Sequence, residues 1–209
     1  MEQNQINLIE LERMFDDLAV NNWASSASVF SKDFCQKLAQ ECQRLHDEGQ
    51  FHQASIGRGV TKSTHTEIRG DFTLWLDEKN NSPLQQSFLS HLQTLLEQLN
   101  QSFYLGLKRF ETHFALYPPG AGYDKHIDNH RGSGARKITF ILYLNEHWQK
   151  GHGGELSLYQ PDQENVLITQ IEPTLGTFVL FRSDLFPHQV EKSFQPRLSI
   201  TGWFRDDAS

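Results

Sequence analysis

The chain has 209 residues, of which 37% are hydrophobic and 22% charged, with a formal net charge of −7. This balance can bury a core, and no apolar run approaches the roughly 18 residues that span a bilayer. Basic residues never form a block longer than two, which disfavours nucleic-acid binding. The N-terminus lacks the basic start and the apolar core of a signal peptide. We therefore expect a soluble cytoplasmic protein with neither nucleic acid nor membrane as a partner.

The first hundred residues are predicted to be mostly helical. Apolar residues from Ile6 to Leu18 follow one helical stripe. The segment Asp33–Gln36 can act as a capping box for a second helix that ends near Gly49. A third helix is predicted to begin at Ser82 and Pro83, an N-cap followed by proline at the first helical position.

Two cysteines lie on the second predicted helix. Cys35 and Cys42 are seven residues apart, which places them roughly 10 Å from each other along a helix. That separation is too large for a disulfide, so we expect two free thiols.

A long polar segment separates the second and third helices. Residues 53–70 are rich in serine, threonine and glycine, and the following Phe72–Leu76 is apolar. A long polar loop inside a compact domain is typical of a lid or a binding loop, although a neutral connector stays open. We expect a mobile substrate loop near residues 53–71.

The sequence from Phe103 onward predicts short strands separated by glycine and proline turns. The candidate strands are Phe110–Tyr117, Lys137–Leu144, Glu155–Tyr159, Val166–Ile171, Thr177–Phe181, His188–Val190 and Leu198–Phe204. This pattern favours a mainly β fold with N-terminal helices, built on a double-stranded β-helix (jelly-roll) core. We expect one domain over residues 1–209, with 1–100 as helical support and loop, and 101–209 as the jelly-roll core.

The motif His126-Ile127-Asp128 indicates a metal site. In an extended segment, residues 126 and 128 point to the same face, where a buried imidazole and carboxylate need a partner or a metal. His188 offers a second imidazole within an apolar segment. Two histidines and one carboxylate form the facial triad that holds iron(II) and leaves positions open. A closed zinc site would need a fourth ligand, and no cysteine lies nearby.

An arginine follows the second histidine after nine residues. Arg197 begins the apolar segment that contains Leu198 and Ile200, and an arginine entering a core needs an anion. A dicarboxylate that chelates the metal through its 2-oxo acid end would offer its other carboxylate to this guanidinium. An ordinary ion pair is the alternative for Arg197 considered alone.

These residues resemble the iron(II)/2-oxoglutarate dioxygenases, and within them the protein prolyl hydroxylases, including the hypoxia-inducible-factor prolyl hydroxylases and their bacterial relatives. The resemblance covers about residues 68–204. Further matching motifs are Tyr117-Pro118, Gly120-x-Gly122-Tyr123, Tyr143-Leu144-Asn145, Gly153-Gly154-x-Leu156, Ile68-Arg69-Gly70-Asp71 with Trp75, and the spacing from Arg197 to Trp203. The approach to His126 is one residue shorter than in the animal enzymes and the 129–136 loop one longer, so their substrate preference is not carried over.

The resemblance implies a role for each matched residue in binding 2-oxoglutarate. Tyr143 would donate its phenol to the distal carboxylate beside Arg197, and Thr201 could add a hydroxyl. Leu156 and Val190 would wall the methylene chain. The remaining contact, near the metal-bound end, is assigned to Tyr117.

On the substrate side, the resemblance implies that Trp203 flanks the prolyl pocket and that Asp71 and Arg136 pair to tie the loop to the core. It further implies Fe(II), 2-oxoglutarate and O2, with ascorbate as an additional cofactor, and a protein or peptide partner with an accessible proline, such as a translation-machinery protein. One alternative is hydroxylation of another residue or of a small molecule, and another is a non-catalytic sensor of 2-oxoglutarate and metal. A third is nucleic-acid demethylation, which this sequence disfavours because it lacks the clustered basic residues of a nucleic-acid groove.

Overall fold

The computed structural model describes residues 6–54, 70–76, 81–128 and 134–208. Its helices are α1 (Leu8–Asn21), α2 (Lys32–Asp47) and α3 (Pro83–Phe103). Most of the predicted loop, residues 55–69, and part of the 129–136 loop, residues 129–133, lie outside the described residues, so the loop prediction stays a prediction.

Side-chain caps fix where the helices begin. Ser82 caps α3 in a complete capping box with Gln85, which confirms the predicted start. The prediction for α2 is wrong by two residues: Ser31 is the N-cap and accepts from the Phe34 amide, while Asp33 lies inside the first turn. A serine side chain fits the N-cap as well as an aspartate does, and Asp33 instead stabilises the positive end of the helix. Cys35 and Cys42 are both buried free thiols, as predicted.

The strands, in chain order, are β1 (Trp23–Ser26), β2 (His52–Gln53), β3 (Phe72–Trp75), β4 (Arg109–Tyr117), β5 (Tyr123–His126), β6 (Arg136–Tyr143), β7 (Leu156–Gln160), β8 (Gln163–Ile171), β9 (Phe178–Arg182), β10 (His188–Val190) and β11 (Arg197–Arg205). They form a seven-stranded sheet in the order β1-β9-β6-β11-β4-β3-β2 and a four-stranded sheet in the order β5-β10-β7-β8. The neighbouring strands pair antiparallel. This arrangement is the predicted jelly-roll core, and the predicted N-terminal helices pack against its large sheet.

The two faces of the large sheet have different partners. Leu198, Ile200 and Phe204 of β11 pack with the three helices in the main core. Side chains alternate along a strand, so Arg197, Thr201 and the other odd-numbered residues of β11 point the opposite way, toward the small sheet. The space between the sheets therefore receives polar side chains from β11 as well as apolar ones.

Among the described residues, no helix has the length and apolarity needed to cross a membrane.

Candidate active site

Three side chains with metal-ligand atoms, two imidazoles and a carboxylate, meet at one edge of the jelly roll. His126 ends β5, His188 begins β10, and the two residues are paired across the small sheet. Asp128 follows two residues after His126, and its two carboxylate oxygens lie 3.5 Å from His126 Nε2 and 3.5 Å from His188 Nε2. The three ligand atoms lie within 4.8 Å of one another. This cluster brings together the three residues that the sequence predicted as a facial triad.

Hydrogen bonds orient both imidazoles toward the carboxylate. The Nδ1 atom of His126 lies 2.7 Å from the Asp124 carbonyl oxygen, and Nδ1 of His188 lies 3.0 Å from that of Phe186. A carbonyl oxygen only accepts, so each Nδ1 carries the proton and each Nε2 keeps its lone pair. Both histidines thus hold the tautomer that binds a metal through Nε2.

The charge states suit the same role. Burial lowers the pKa of His188 to about 4, and repulsion by His126 acts in the same direction, although Asp128 opposes it. Burial raises the pKa of the Asp128 carboxyl, but the charges that His188 and His126 carry when protonated, together with Arg136, hold that pKa well below its usual range. At neutral pH the cluster therefore offers a neutral imidazole and a carboxylate, which are the ligand forms for a divalent metal.

The cluster opens on a pocket between the two sheets. The lining includes the triad together with Tyr117, Leu156, Val190, Arg197, Thr201 and Trp203. The sequence had predicted all of these residues for the site, and the fold brings them around one cavity.

Arg197 is a buried cation in this pocket, with only 3% of its surface exposed. Its Nε donates to the Gly154 carbonyl at 2.7 Å, and its guanidinium lies 4.9 Å from the ring centres of both Tyr117 and Tyr143. Among the described residues no carboxylate forms an ion pair with it. A buried guanidinium whose paired N–H groups contact no anion is suited to bind the carboxylate of a ligand.

Tyr143, which the sequence also predicted for the site, is not among the residues that line the pocket, but its ring centre lies 4.9 Å from the Arg197 guanidinium. The residue is fully buried, yet its hydroxyl makes no hydrogen bond within the described part of the chain. Burial raises the pKa of this phenol, partly offset by the positive charge of Arg197, so the hydroxyl is a donor at neutral pH. A buried donor next to a buried cation fits a ligand carboxylate, and together with the donor set of the triad it fits iron(II) and 2-oxoglutarate.

Trp203 lies near the triad end of β11. Its indole Nε1 is buried without a hydrogen-bond partner among the described residues, and the Arg136 guanidinium stacks on its ring at 3.5 Å. On its inner side the ring lies 5.6 Å from that of His113, another pocket residue. Trp203 therefore forms part of the wall next to the triad, with a donor available.

The predicted pair of Asp71 and Arg136 is wrong. Asp71 directly precedes Phe72, which is paired with Leu116 near one end of β4, whereas Arg136 is opposite Arg205 near the other end. Arg205 in turn faces Arg109, seven residues before Leu116 and thus roughly 23 Å away along the strand.

Arg136 instead pairs with Glu111 at 2.8 Å and donates to the Asp128 carbonyl at 3.3 Å. Arg136 therefore supports the backbone at the candidate metal ligand Asp128. The end of the predicted loop is tied to the core elsewhere, by the backbone hydrogen bond from Gly70 to the Gly122 carbonyl at 3.2 Å.

Sequence reasoning missed several residues of the site. Thr139 donates to Asp128, Ser183 contacts Thr139, and His113 lines the pocket. Thr139 lies four residues before Tyr143 on β6, so the two-residue period of a strand places both on the inner face. That spacing was the available signal for Thr139, while Ser183 and His113 carried none that distinguishes them from ordinary core residues.

Three comparisons with known proteins agree with this geometry. Residues 112–205 match the family model described as the 2OG-Fe(II) oxygenase superfamily. The crystal structure of a Pseudomonas putida prolyl-4-hydroxylase superposes with a TM-score of 0.83 at 39% identity, covering 93% of this chain and 98% of that one. A prolyl hydroxylase from Trichoplax adhaerens, solved with a hypoxia-inducible-factor peptide, gives 0.80 at 28% identity over 94% and 90%.

The human protein Egl nine homolog 1 is 32% identical over 181 residues, which is 84% of this chain and 42% of that protein. The chain thus spans about half or less of the length of the curated relatives that it matches first. The match to the bacterial enzyme spans nearly all of both chains, and the matched family model contains the whole triad. The chain belongs to the 2OG-Fe(II) oxygenase superfamily.

Proposed function

We propose that this chain is an iron(II)- and 2-oxoglutarate-dependent dioxygenase that hydroxylates a prolyl residue in a protein or peptide. The bound iron and cosubstrate supply the oxidation: one oxygen atom of O2 enters a prolyl C–H bond, and the other enters succinate as 2-oxoglutarate loses CO2. The protein binds and orients the reactants and excludes water from the pocket.

The observation that carries this proposal is one pocket that contains both the metal triad and the buried Arg197 guanidinium, which pairs with no carboxylate among the described residues. The ring of Tyr143 lies 4.9 Å from that guanidinium. His126, Asp128 and His188 would hold iron(II). Arg197 and Tyr143 would bind the distal carboxylate of 2-oxoglutarate by charge-assisted hydrogen bonds.

Other pocket residues would complete the cosubstrate site. Leu156 and Val190 would contact the methylene chain and Thr201 would add a hydroxyl near the carboxylate. Tyr117, whose ring lies 4.9 Å from the Arg197 guanidinium, would reach toward the metal-bound end with its hydroxyl. Ascorbate is a further proposed cofactor, since it would return oxidised iron to iron(II).

A prolyl substrate is supported by the two solved relatives, both described as prolyl hydroxylases. Trp203 supports it as well, because an indole beside the triad offers an apolar face to a proline ring and an N–H to a backbone carbonyl. We infer a cytoplasmic protein partner with an accessible proline, for which a translation-machinery protein is one candidate. Hydroxylation of another residue or a small molecule by the same centre is the second candidate.

The test combines turnover with product mass. Purified chain is loaded anaerobically with iron(II) and 2-oxoglutarate, mixed with a library of prolyl peptides, and exposed to O2. We expect succinate together with peptides heavier by one oxygen atom, located on proline by fragmentation. An Asp128→Ala variant serves as the control and should form neither product.

Different results would reject different parts of the proposal. Succinate without any oxidised proline, over a library that covers all neighbouring residues and over cell-extract protein, would reject the prolyl substrate but leave the oxygenase. Iron and 2-oxoglutarate binding without succinate in the presence of oxidisable substrates would favour a sensor. Failure to bind iron would reject both the prolyl substrate and the oxygenase activity.

A further inference from the structure

Two buried hydroxyls, linked by a hydrogen bond, lie next to the carboxylate of Asp128 in the proposed metal site. Thr139 Oγ1 is 2.8 Å from Asp128 Oδ2, and Ser183 Oγ is 2.8 Å from Thr139 Oγ1. Thr139 is 1% exposed and Ser183 is completely buried. These residues come from separate elements, since Thr139 is central in β6 and Ser183 follows the end of β9.

The direction of both hydrogen bonds follows from the chemistry of the groups. A carboxylate has no proton to give, so Thr139 must donate its only hydroxyl proton to Asp128. The contact between Thr139 and Ser183 then requires Ser183 to be the donor. We propose that Thr139 and Ser183 form a positioning relay that fixes the carboxylate plane of Asp128 and thereby sets the affinity of the triad for its metal.

The relay also links two of the ligands. Ser183 begins the turn that leads, five residues later, to His188, and its amide donates to the Lys137 carbonyl on β6 at 3.1 Å. Asp128 Oδ2, the oxygen that Thr139 contacts, is the one that lies 3.5 Å from His188 Nε2. The two hydroxyls therefore fix the position of the Asp128 carboxylate relative to the turn that leads from Ser183 to His188.

Without Thr139, the carboxylate would lose the hydrogen bond that fixes its rotation about the bond to Cβ. Arg136 holds only the Asp128 backbone carbonyl, at 3.3 Å, and does not replace it. Partners of metal ligands typically change metal affinity by about 10–100-fold when removed. The relay is proposed to act in this range, through the ligand and without touching substrate.

The experiment measures Fe(II) affinity directly, by anaerobic calorimetry without 2-oxoglutarate or O2. The variants are Thr139→Val, which keeps the shape and removes the hydroxyl, Thr139→Ser, which restores it, and Ser183→Ala. Thr112→Val is the matched control, because Thr112 is equally buried on β4 and its hydroxyl donates to the Thr201 carbonyl at 3.0 Å, away from Asp128.

We expect Thr139→Val to weaken iron binding by about 10-fold or more, and Thr139→Ser to bind nearly as well as the wild type. Ser183→Ala should weaken binding less, and should add nothing in the Thr139→Val background because it acts through Thr139. The control variant should lose stability without losing iron affinity. If Thr139→Val folds poorly, Thr139→Ser and Ser183→Ala still give the comparison.

The relay is wrong if Thr139→Val or Ser183→Ala binds iron like the wild type, or if Ser183→Ala has its full effect in the Thr139→Val background. The proposal rests on the proposed iron site, but the two fail differently. A wild-type chain that binds no iron rejects both, whereas a wild-type chain that binds iron and hydroxylates proline, with unaffected Thr139 and Ser183 variants, rejects the relay alone.

Discussion

Replacing Tyr143 by phenylalanine should change stability and cosubstrate affinity in opposite directions. The Tyr143 hydroxyl is buried with no hydrogen-bond partner among the described residues, and such a group costs about 1–3 kcal/mol. Tyr143→Phe should therefore leave the free energy of unfolding unchanged or raise it, with a melting temperature higher by roughly 2–4 °C per kcal/mol. An ordinary core tyrosine with a satisfied hydroxyl would instead lose stability.

The same variant should bind 2-oxoglutarate more weakly. A hydrogen bond to a charged group contributes about 1.5–3 kcal/mol, which corresponds to a roughly 10- to 150-fold higher dissociation constant. Iron affinity should not change, since the hydroxyl faces Arg197 and not the triad.

The assay combines thermal unfolding of the ligand-free protein with calorimetric titration of 2-oxoglutarate in the presence of iron(II). Tyr104→Phe is the control, because Tyr104 is 90% exposed and the same substitution there removes no buried hydroxyl. Lower stability of Tyr143→Phe with unchanged cosubstrate affinity would refute the assignment of this hydroxyl to a ligand.

Three further predictions concern the Arg197 side chain, the two buried thiols and the ion pair between Arg205 and Asp207. Arg197→Lys keeps the charge but removes the paired guanidinium N–H groups and the hydrogen bond to the Gly154 carbonyl. The KM for 2-oxoglutarate should therefore rise by about 10-fold or more without a change in iron affinity. An unchanged KM would contradict the role of Arg197 in binding the 2-oxoglutarate carboxylate. Burial raises the pKa of Cys35 to about 12 and that of Cys42 further still, so a disulfide reagent such as DTNB should react with neither thiol in the native protein and with both after denaturation. The hydrogen bond from Arg205 holds the pKa of Asp207 well below its usual range, so this pair stabilises the fold above the unfolded pKa of about 4 and less as the pH falls below it. The unfolding free energy of Asp207→Asn should accordingly fall less steeply in acid than that of the wild type, and parallel curves would argue against the pair.

The features that sequence reasoning recovered are those with a short-range physical signature. The His-x-Asp spacing puts two ligands on one strand face, and the apolar residues Leu198, Ile200 and Phe204 indicate an interior strand that begins with Arg197. The start of α3 was likewise predictable, since an N-cap serine and a proline at the first helical position act within two residues of each other.

What sequence reasoning missed depends on partners far away in the chain. The strand Trp23–Ser26 has little β character of its own and exists because it pairs with Phe178–Phe181 on β9. The contact of Thr139 with Ser183 spans 44 residues, and each hydroxyl alone is compatible with a core, a turn or a site.

The error over Asp71 and Arg136 has a related cause. Both residues match the family pattern, but the register of β3 on β4 and of β6 on β11 places them at opposite ends of the sheet. Matching positions identify which residues belong to a family motif, whereas strand register decides which of them can touch.

The central claim is that His126, Asp128 and His188 hold iron(II) and that 2-oxoglutarate binds beside it. Its most direct test is an anaerobic titration of Fe(II) into the wild-type chain and into Asp128→Ala, followed by 2-oxoglutarate. We expect a single iron per wild-type chain, much weaker iron binding by the variant, and 2-oxoglutarate binding that requires the iron. Iron binding that Asp128→Ala leaves intact, or its absence from the wild type, would contradict the claim.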